Sequence, residues 1–157
     1  MIKVLFVCLG NICRSPVAEA IFNKRIKEAK LEDQFSADSA GTSAYHLGDP
    51  PDQRSVSNAL VNGVNINHSA RQFTELDFSE FDYILAMDQD NLMQIESMAQ
   101  IHGVSHNGIF LIRAFQSNDQ DLEVPDPYFG GESGFQTVFN VLNECNQELI
   151  EYLRETH

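Results

Sequence analysis

The sequence predicts an α/β fold, a doubly wound parallel sheet with helices on both faces. Three observations lead there. Apolar runs, Ile2 to Cys8 with Lys3 its one charged residue, and Tyr83 to Met87, have the pattern of strands covered on both sides. Segments with apolar residues at helical spacing follow those runs and separate them. No linker, internal repeat or low-complexity stretch divides the 157 residues, so residues 1–157 are read as a single domain long enough to bury its own core.

The run from Ile2 to Cys8 is the first strand. Ser15-Pro16 follows as N-cap and first-turn proline, and Ala18, Ile21, Phe22 and Ile26 trace one helical face. Phe35 to Ala40 is a weaker second strand, and Gly41 to Pro51, rich in Gly, Ser, Asp and Pro, is loop. A helix runs from about Asp52 to Gly63, a residue suited to a left-handed helix end. Tyr83 to Met87 is the third strand, and Asp88 caps a helix that stops near Gly103. Gly108 to Ile112 is the fourth strand. Arg113 to Gly134 shows no periodicity and is too long for an idle connection, which marks it as functional. Phe135, Val138, Phe139, Leu142, Cys145, Leu149 and Leu153 share one face of a long final helix, so Cys145 is a core residue.

Composition narrows the chemistry. Hydrophobic residues make up 43% and charged residues 21%, as in folded chains. No segment approaches the roughly 18 to 20 apolar residues of a membrane span, and the first apolar run stops too early for a secretory signal. A cytoplasmic location is expected. The formal charge of −13 offers no basic surface for nucleic acid or anionic membranes, so neither is expected as a partner. Any anion must be held by local donors. Cys8, Cys13 and Cys145 form an odd set without an export signal, which argues for free thiols rather than a disulfide framework. Asn67-His68-Ser69 matches a glycosylation triplet that this location leaves unused. His102 and His106 are interrupted by Gly103 at a helix end, and neither metal nor cofactor is expected.

In such sheets ligands bind beyond the carboxyl ends of the strands, where strand order reverses. The loop after the first strand therefore matters most. Leu9, Gly10, Asn11, Ile12 and Cys13 can curve so that successive N–H groups converge on one point, and the helix that follows adds its positive end. A tetrahedral anion fits such a bowl. Arg14 adds a planar fork for two phosphate oxygens, and Cys8 facing the same donors is favoured as a nucleophilic thiolate. The Ser15 hydroxyl can cap the helix and can also donate to the departing thiolate. Asn11 suits a left-handed backbone conformation better than most residues.

The stretch CLGNICRSP, Cys8 to Pro16, resembles the phosphate-binding loop (P-loop) signature CxxxxxRS of the low-molecular-weight protein tyrosine phosphatases. The likeness continues through DSAGTS (Asp38 to Ser43), FDYILAMD (Phe81 to Asp88) and PDPY (Pro125 to Tyr128) over nearly the whole chain. It implies a flavodoxin-like, four-stranded parallel sheet of order 2-1-3-4. It also implies metal-free hydrolysis of phosphotyrosine and aryl phosphates through a phosphocysteine. Expelling a phenolate needs a proton, and general acid help is worth about 10² to 10⁴ in rate. Asp126, stiffened by flanking prolines, reads by itself as a turn residue; the resemblance makes it the acid. By the same likeness Tyr45 and Tyr128, with Ile12 and Phe129 beside them, wall a slot for the substrate ring. Ser39 and His68 hold the Asn11 side chain, and Glu19 holds the imidazole.

Cys13, five residues from Cys8 in a curved loop, can capture a peroxide-oxidised Cys8 as a reversible disulfide, or it can simply fill space. The implied partners are phosphotyrosine proteins and, near them, a cognate tyrosine kinase, with phosphate or other oxyanions as ligands. Arsenate reductase on the same scaffold is an alternative, but its relay cysteines are missing from Tyr83 to Asp90. Protein arginine phosphatase is another, and its relatives carry threonine at the position of Ile12. The presence of Cys8, Arg14 and Asp126 together argues against a non-catalytic anion-binding module.

Overall fold

The computed structural model describes residues 1–116, 122–128 and 131–157. Its elements run β1 (Ile2–Cys8), α1 (Arg14–Glu28), β2 (Phe35–Gly41), α2 (Gln53–Val61), α3 (Asp77–Glu80), β3 (Tyr83–Ala86), α4 (Gln89–Ile101), β4 (Ile109–Leu111), a 3₁₀ turn (Ile112–Phe115) and α5 (Glu132–Thr156). The four strands are parallel, in the order β2-β1-β3-β4. The β1 strand lies at the centre because its apolar residues fill both faces. Val4 and Phe6 join a core with α1 and α5, while Leu5 and Val7 join another with α3 and α4. All four are fully buried, and truncating Phe6 to alanine would cost about 3–5 kcal/mol.

Strand order reverses beside β1, since the chain leaves β1 for β2 on one side and returns to β3 on the other. The loop at the carboxyl end of β1 sits at that crevice. Cys8 pairs in register with Gly41 of β2, and a Cβ on Gly41 would lie 2.7 Å from the Leu9 carbonyl oxygen. The loop thus rests directly on the backbone of the neighbouring strand.

Helix ends follow the expected chemistry at two places. Asp52 caps α2 by accepting from the Arg54 N–H, and Asp88 caps α4 by accepting from Asn91. Gly63 and Gly103 have φ of 82° and 65°, the left-handed conformation that releases the chain after each helix. Ser15 differs from expectation. The helix begins at Arg14, with Cys13 as its N-cap residue and no side-chain cap, because the Ser15 hydroxyl is turned toward the Cys8 sulfur. The stretch expected to be irregular from Arg113 holds the end of the 3₁₀ turn, and α5 already starts at Glu132. The short α3 is a four-residue turn that leaves no periodic trace in the sequence.

Candidate active site

Three carbonyls of the loop region are drawn outward. Those of Cys8, Leu9 and Ile12 accept from the N–H groups of Thr42, Ser43 and Asp52 at 2.9, 2.9 and 2.7 Å. Turning carbonyls out turns amides in. The Asn11 N–H donates to Cys8 Sγ at 3.3 Å, and those of Gly10, Ile12 and Cys13 have no protein acceptor among the described residues. Cys8 lies at the base of this bowl, 2% exposed, with Ser15 Oγ 2.9 Å from its sulfur.

Hydrogen-bond directions behind the bowl can be assigned. Asn11, at φ 57°, donates through Nδ2 to Ser15 Oγ (2.9 Å) and Ser39 Oγ (3.0 Å). Ser15 Oγ accepts from Asn11 and lies 2.9 Å from Cys8 Sγ and 3.5 Å from the Ala40 carbonyl; toward a thiolate, which can only accept, the hydroxyl is the donor. Asn11 Oδ1 accepts from the Arg71 N–H at 3.0 Å and from His68 Nε2 at 2.7 Å. Ser39 Oγ donates to Glu19 Oε1 at 2.6 Å, which lies 3.2 Å from His68 Nδ1. Burial pushes the Glu19 carboxyl up to about 7 and drives the His68 imidazole down. With Nε2–H committed to Asn11, the short Nδ1 to carboxyl contact is closed by one proton held between the two groups.

Glu19, Asp38 and His68 bring three ligand-type atoms within 4.8 Å of one another, a grouping that could hold a cation. Arg71 Nε already stands 3.2 Å from Asp38, and Ser39 occupies Glu19, so both carboxylates have protein donors in place.

Arg14 is 2% exposed and held on several sides. Its Nη1 donates to Asp88 Oδ2 at 2.8 Å and to the Val124 carbonyl at 2.9 Å, and its Nη2 lies 3.7 Å from Asp126 Oδ2. Burial opposes the guanidinium charge, but Cys8, Asp88 and Asp126 outweigh it and raise its pKa. Asp126 itself is exposed, and its Oδ1 accepts from the Tyr128 N–H at 3.0 Å. A carboxyl is thereby carried to the mouth of the bowl.

A cavity of about 400 Å³ opens above Cys8, with Ile12, Tyr45, His46, Asp126 and Tyr128 among its walls. Tyr45 is 86% exposed, a ring standing in solvent. Phe129, read as a further wall, lies outside the described residues. Cys13 also borders the cavity; burial, then Asp52, pushes its thiol up to about 12. Cys145 is buried in the core of α5.

A reacting sulfur, an amide-lined bowl, a fixed guanidinium and a carboxyl at the rim suit phosphoryl transfer to sulfur. The comparisons with known proteins agree. The family model described as low molecular weight phosphotyrosine protein phosphatase matches residues 3–157. This chain belongs to that family. The Gallus gallus low molecular weight phosphotyrosine protein phosphatase is 43% identical, the alignment covering 95% of this chain and 94% of that one. The crystal structure of an Entamoeba histolytica protein tyrosine phosphatase with Hepes in its active site superposes with a TM-score of 0.91, at 40% identity and 99% coverage of both chains. A Drosophila arginine phosphatase superposes at 0.91 too, with 34% identity over 97% of this chain and 98% of that one. The expected fold class and strand order hold.

Within this phosphatase family chain, sequence reasoning overlooked three residues at the site. Asp88 was assigned only its helix cap, which it makes through Oδ1 while Oδ2 takes Arg14. His46 stands between the tyrosine walls, 4.8 Å from the Tyr45 ring centroid and 6.2 Å from that of Tyr128, and packs over Gly10. Asp52 receives no role beyond a helix start, yet its N–H holds the loop at Ile12. A carboxylate already explained by a cap gives no further signal, and a loop histidine beside a tyrosine gives none at all.

Proposed function

We propose that residues 1–157 act as one protein tyrosine phosphatase domain that hydrolyses phosphotyrosine and aryl phosphate monoesters through a phosphocysteine. The observation that carries this reading is Ser15 Oγ standing 2.9 Å from Cys8 Sγ at the base of a bowl of inward amides closed by the buried Arg14. The amides of Leu9 to Ser15 and the Arg14 fork hold the three non-bridging oxygens. The Cys8 thiolate attacks phosphorus, the S–P bond forms as the P–O bond to the phenol breaks, and Asp126 gives its proton to the departing oxygen. In the second step Asp126 takes a proton from water, the water oxygen attacks phosphorus, and the thiolate leaves toward Ser15 and the Asn11 amide. Glu19, Ser39 and His68 keep Asn11 in place for both steps. No metal or cofactor enters.

The slot walled by Ile12, Tyr45 and Tyr128, with Phe129 following in sequence, admits a flat ring and sets the distance from its mouth to Cys8. A phosphoserine is too short to bring its phosphorus to the sulfur. A cytoplasmic setting suits a catalytic thiol. There peroxide converts Cys8 to a sulfenic acid, and Cys13 displaces water from it to form a disulfide. A Cys13 thiol held up to about 12 is kept from oxidising first. Cys13→Ser should leave more activity unrecovered when a thiol reductant follows peroxide; equal recovery removes the role.

Phosphotyrosine, phosphoserine and phosphoarginine peptides, assayed beside arsenate reduction, test the function. Phosphotyrosine turnover should dominate and vanish in Cys8→Ser. Dominant phosphoarginine turnover would support the second reading, which the likeness to the Drosophila arginine phosphatase favours. Turnover that survives in Cys8→Ser would overturn the mechanism.

A further inference from the structure

Arg54 sits in the first turn of α2, two residues after the carboxylate that caps the helix. Exposed pairs of that kind are ordinarily worth little. Two further contacts set this one apart. Nη2 of Arg54 donates to the Tyr128 carbonyl at 2.8 Å, reaching 74 positions along the chain, and the flat face of the guanidinium covers two rings. Its central carbon lies 4.7 Å from the Phe135 centroid and 5.6 Å from that of Tyr128. Phe135 in turn packs with Ile12 and Cys13 of the phosphate-binding loop.

These contacts join into a short path. The Asp52 N–H donates to the Ile12 carbonyl at 2.7 Å, and Arg54 grips the Asp52 carboxylate through Nε at 3.1 Å and Nη2 at 3.0 Å. Arg54 then holds the Tyr128 carbonyl, and the N–H of the same Tyr128 holds the Asp126 carboxylate at 3.0 Å. On the amino side of Asp126 the backbone is tied at Val124, which donates to Met87 at 2.8 Å and accepts from Arg14 at 2.9 Å. Asp126 thus hangs between two fixed points, Val124 and Tyr128.

We propose that Arg54 is a positioning residue that stations the Asp126 segment over the phosphate-binding loop, coupling the acid to the bowl through Asp52 and Tyr128. It rests on the phosphatase reading above. A guanidinium is required because one group must give edge donors to a carboxylate and a carbonyl and a flat face to two rings. Lysine offers only a point charge. Without Arg54 the bowl is intact, but the carboxyl is tethered from one side and meets the leaving oxygen less often.

The test is kcat/KM, which reports formation of the phosphoenzyme, across aryl phosphates from acidic nitrophenols to phenol. Arg54→Ala should lose about 10-fold with phenyl phosphate and no more than about 2-fold with the most acidic phenol, part of the range a displaced general acid spans. The Brønsted slope then steepens, and Arg54→Lys falls between. In an Asp126→Asn background Arg54→Ala should add little. A loss equal across the series, no loss, or full additivity with Asp126→Asn would each overturn the proposal. Arg54→Gln, which keeps one amide donor, is the second variant should alanine prevent folding. Hydrogen exchange gives a readout independent of turnover: the amides of Val124, Asp126 and Tyr128 should exchange faster in Arg54→Ala while residues 4–8 are unchanged, and unchanged exchange at these three sinks the idea. If wild-type protein turns over no aryl phosphate, the phosphatase reading falls while the exchange result still decides whether Arg54 holds the segment.

Discussion

Between Cys8 and Ser15 the chain bonds within itself, with Asn11 bonding to Cys8 and Ser15 and Ser15 bonding back to Cys8 within seven positions, and the N–H groups of Thr42, Ser43, Asp52 and Arg71 brace it from outside. The segment bearing Asp126 is held from afar. Arg14 grips Val124 across 110 positions, Glu123 accepts from the Gln89 N–H across 34, and Arg54 reaches Tyr128 across 74. A loop bonded within itself as well as braced from outside is stiff and works as a unit, whereas a segment hung chiefly from remote groups can be adjusted at each anchor separately. On the proposed mechanism the bowl sets whether phosphoryl transfer occurs, and the anchors set how well a proton arrives with it.

Substitutions can break that division. Arg14→Ala should lower kcat/KM by about 10³-fold even for the most acidic phenol, the scale seen when one preorganised donor to a developing oxyanion is removed, and somewhat further for phenyl phosphate, because Arg14 also anchors Val124. A loss confined to poor leaving groups would show the guanidinium serving the acid rather than the bowl. Asp126→Asn should lower it about 10²-fold for phenyl phosphate and far less for an acidic nitrophenyl ester, a contrast read from the Brønsted slope. Equal losses would place Asp126 with the bowl and erase the distinction.

The smallest effect concerns the support behind Asn11. The Glu19 carboxyl, pushed up to about 7 by burial, sits above the roughly 4.3 of an unfolded chain. Between those values this carboxyl binds more protons in the folded protein than in the unfolded one, so its contribution to stability is full below about 4.3 and declines as pH rises through about 7. The decline is at most about 4 kcal/mol, and the lowered His68 beside it acts in the opposite direction. Urea midpoints measured from pH 5 to 8.5 should fall in the wild type and flatten in Glu19→Gln. Parallel curves would detach this carboxyl from the bowl's stability.

The same division explains what the sequence revealed. The bowl was legible because its donors, its sulfur and its arginine are consecutive, and Gly10 and Asn11 announce a turn. The strands were legible because β1 and β3 are apolar on both faces. Ser15 was legible in part: a serine before a proline looks like a helix cap, but of the two roles the sequence allowed, the structure makes no cap and sets the hydroxyl 2.9 Å from the Cys8 sulfur. Asp88 hid behind its cap, and Arg54 gave no signal, since Arg14 and Tyr128, which these two hold, each lie 74 positions away. Asp126 needed the family likeness, because nothing local distinguishes an aspartate between prolines from a turn.

Tyr45 leaves 86% of its surface in water, an unusual place for a ring that borders a catalytic cavity. On the proposed reading of the slot, an arriving aryl group covers that ring, and inorganic phosphate does not. Association with an aryl phosphonate should thus carry a negative heat-capacity change that the bare anion lacks, so the enthalpies of the two diverge on warming. Recognition of the ring would then be a desolvation event left for the substrate to complete.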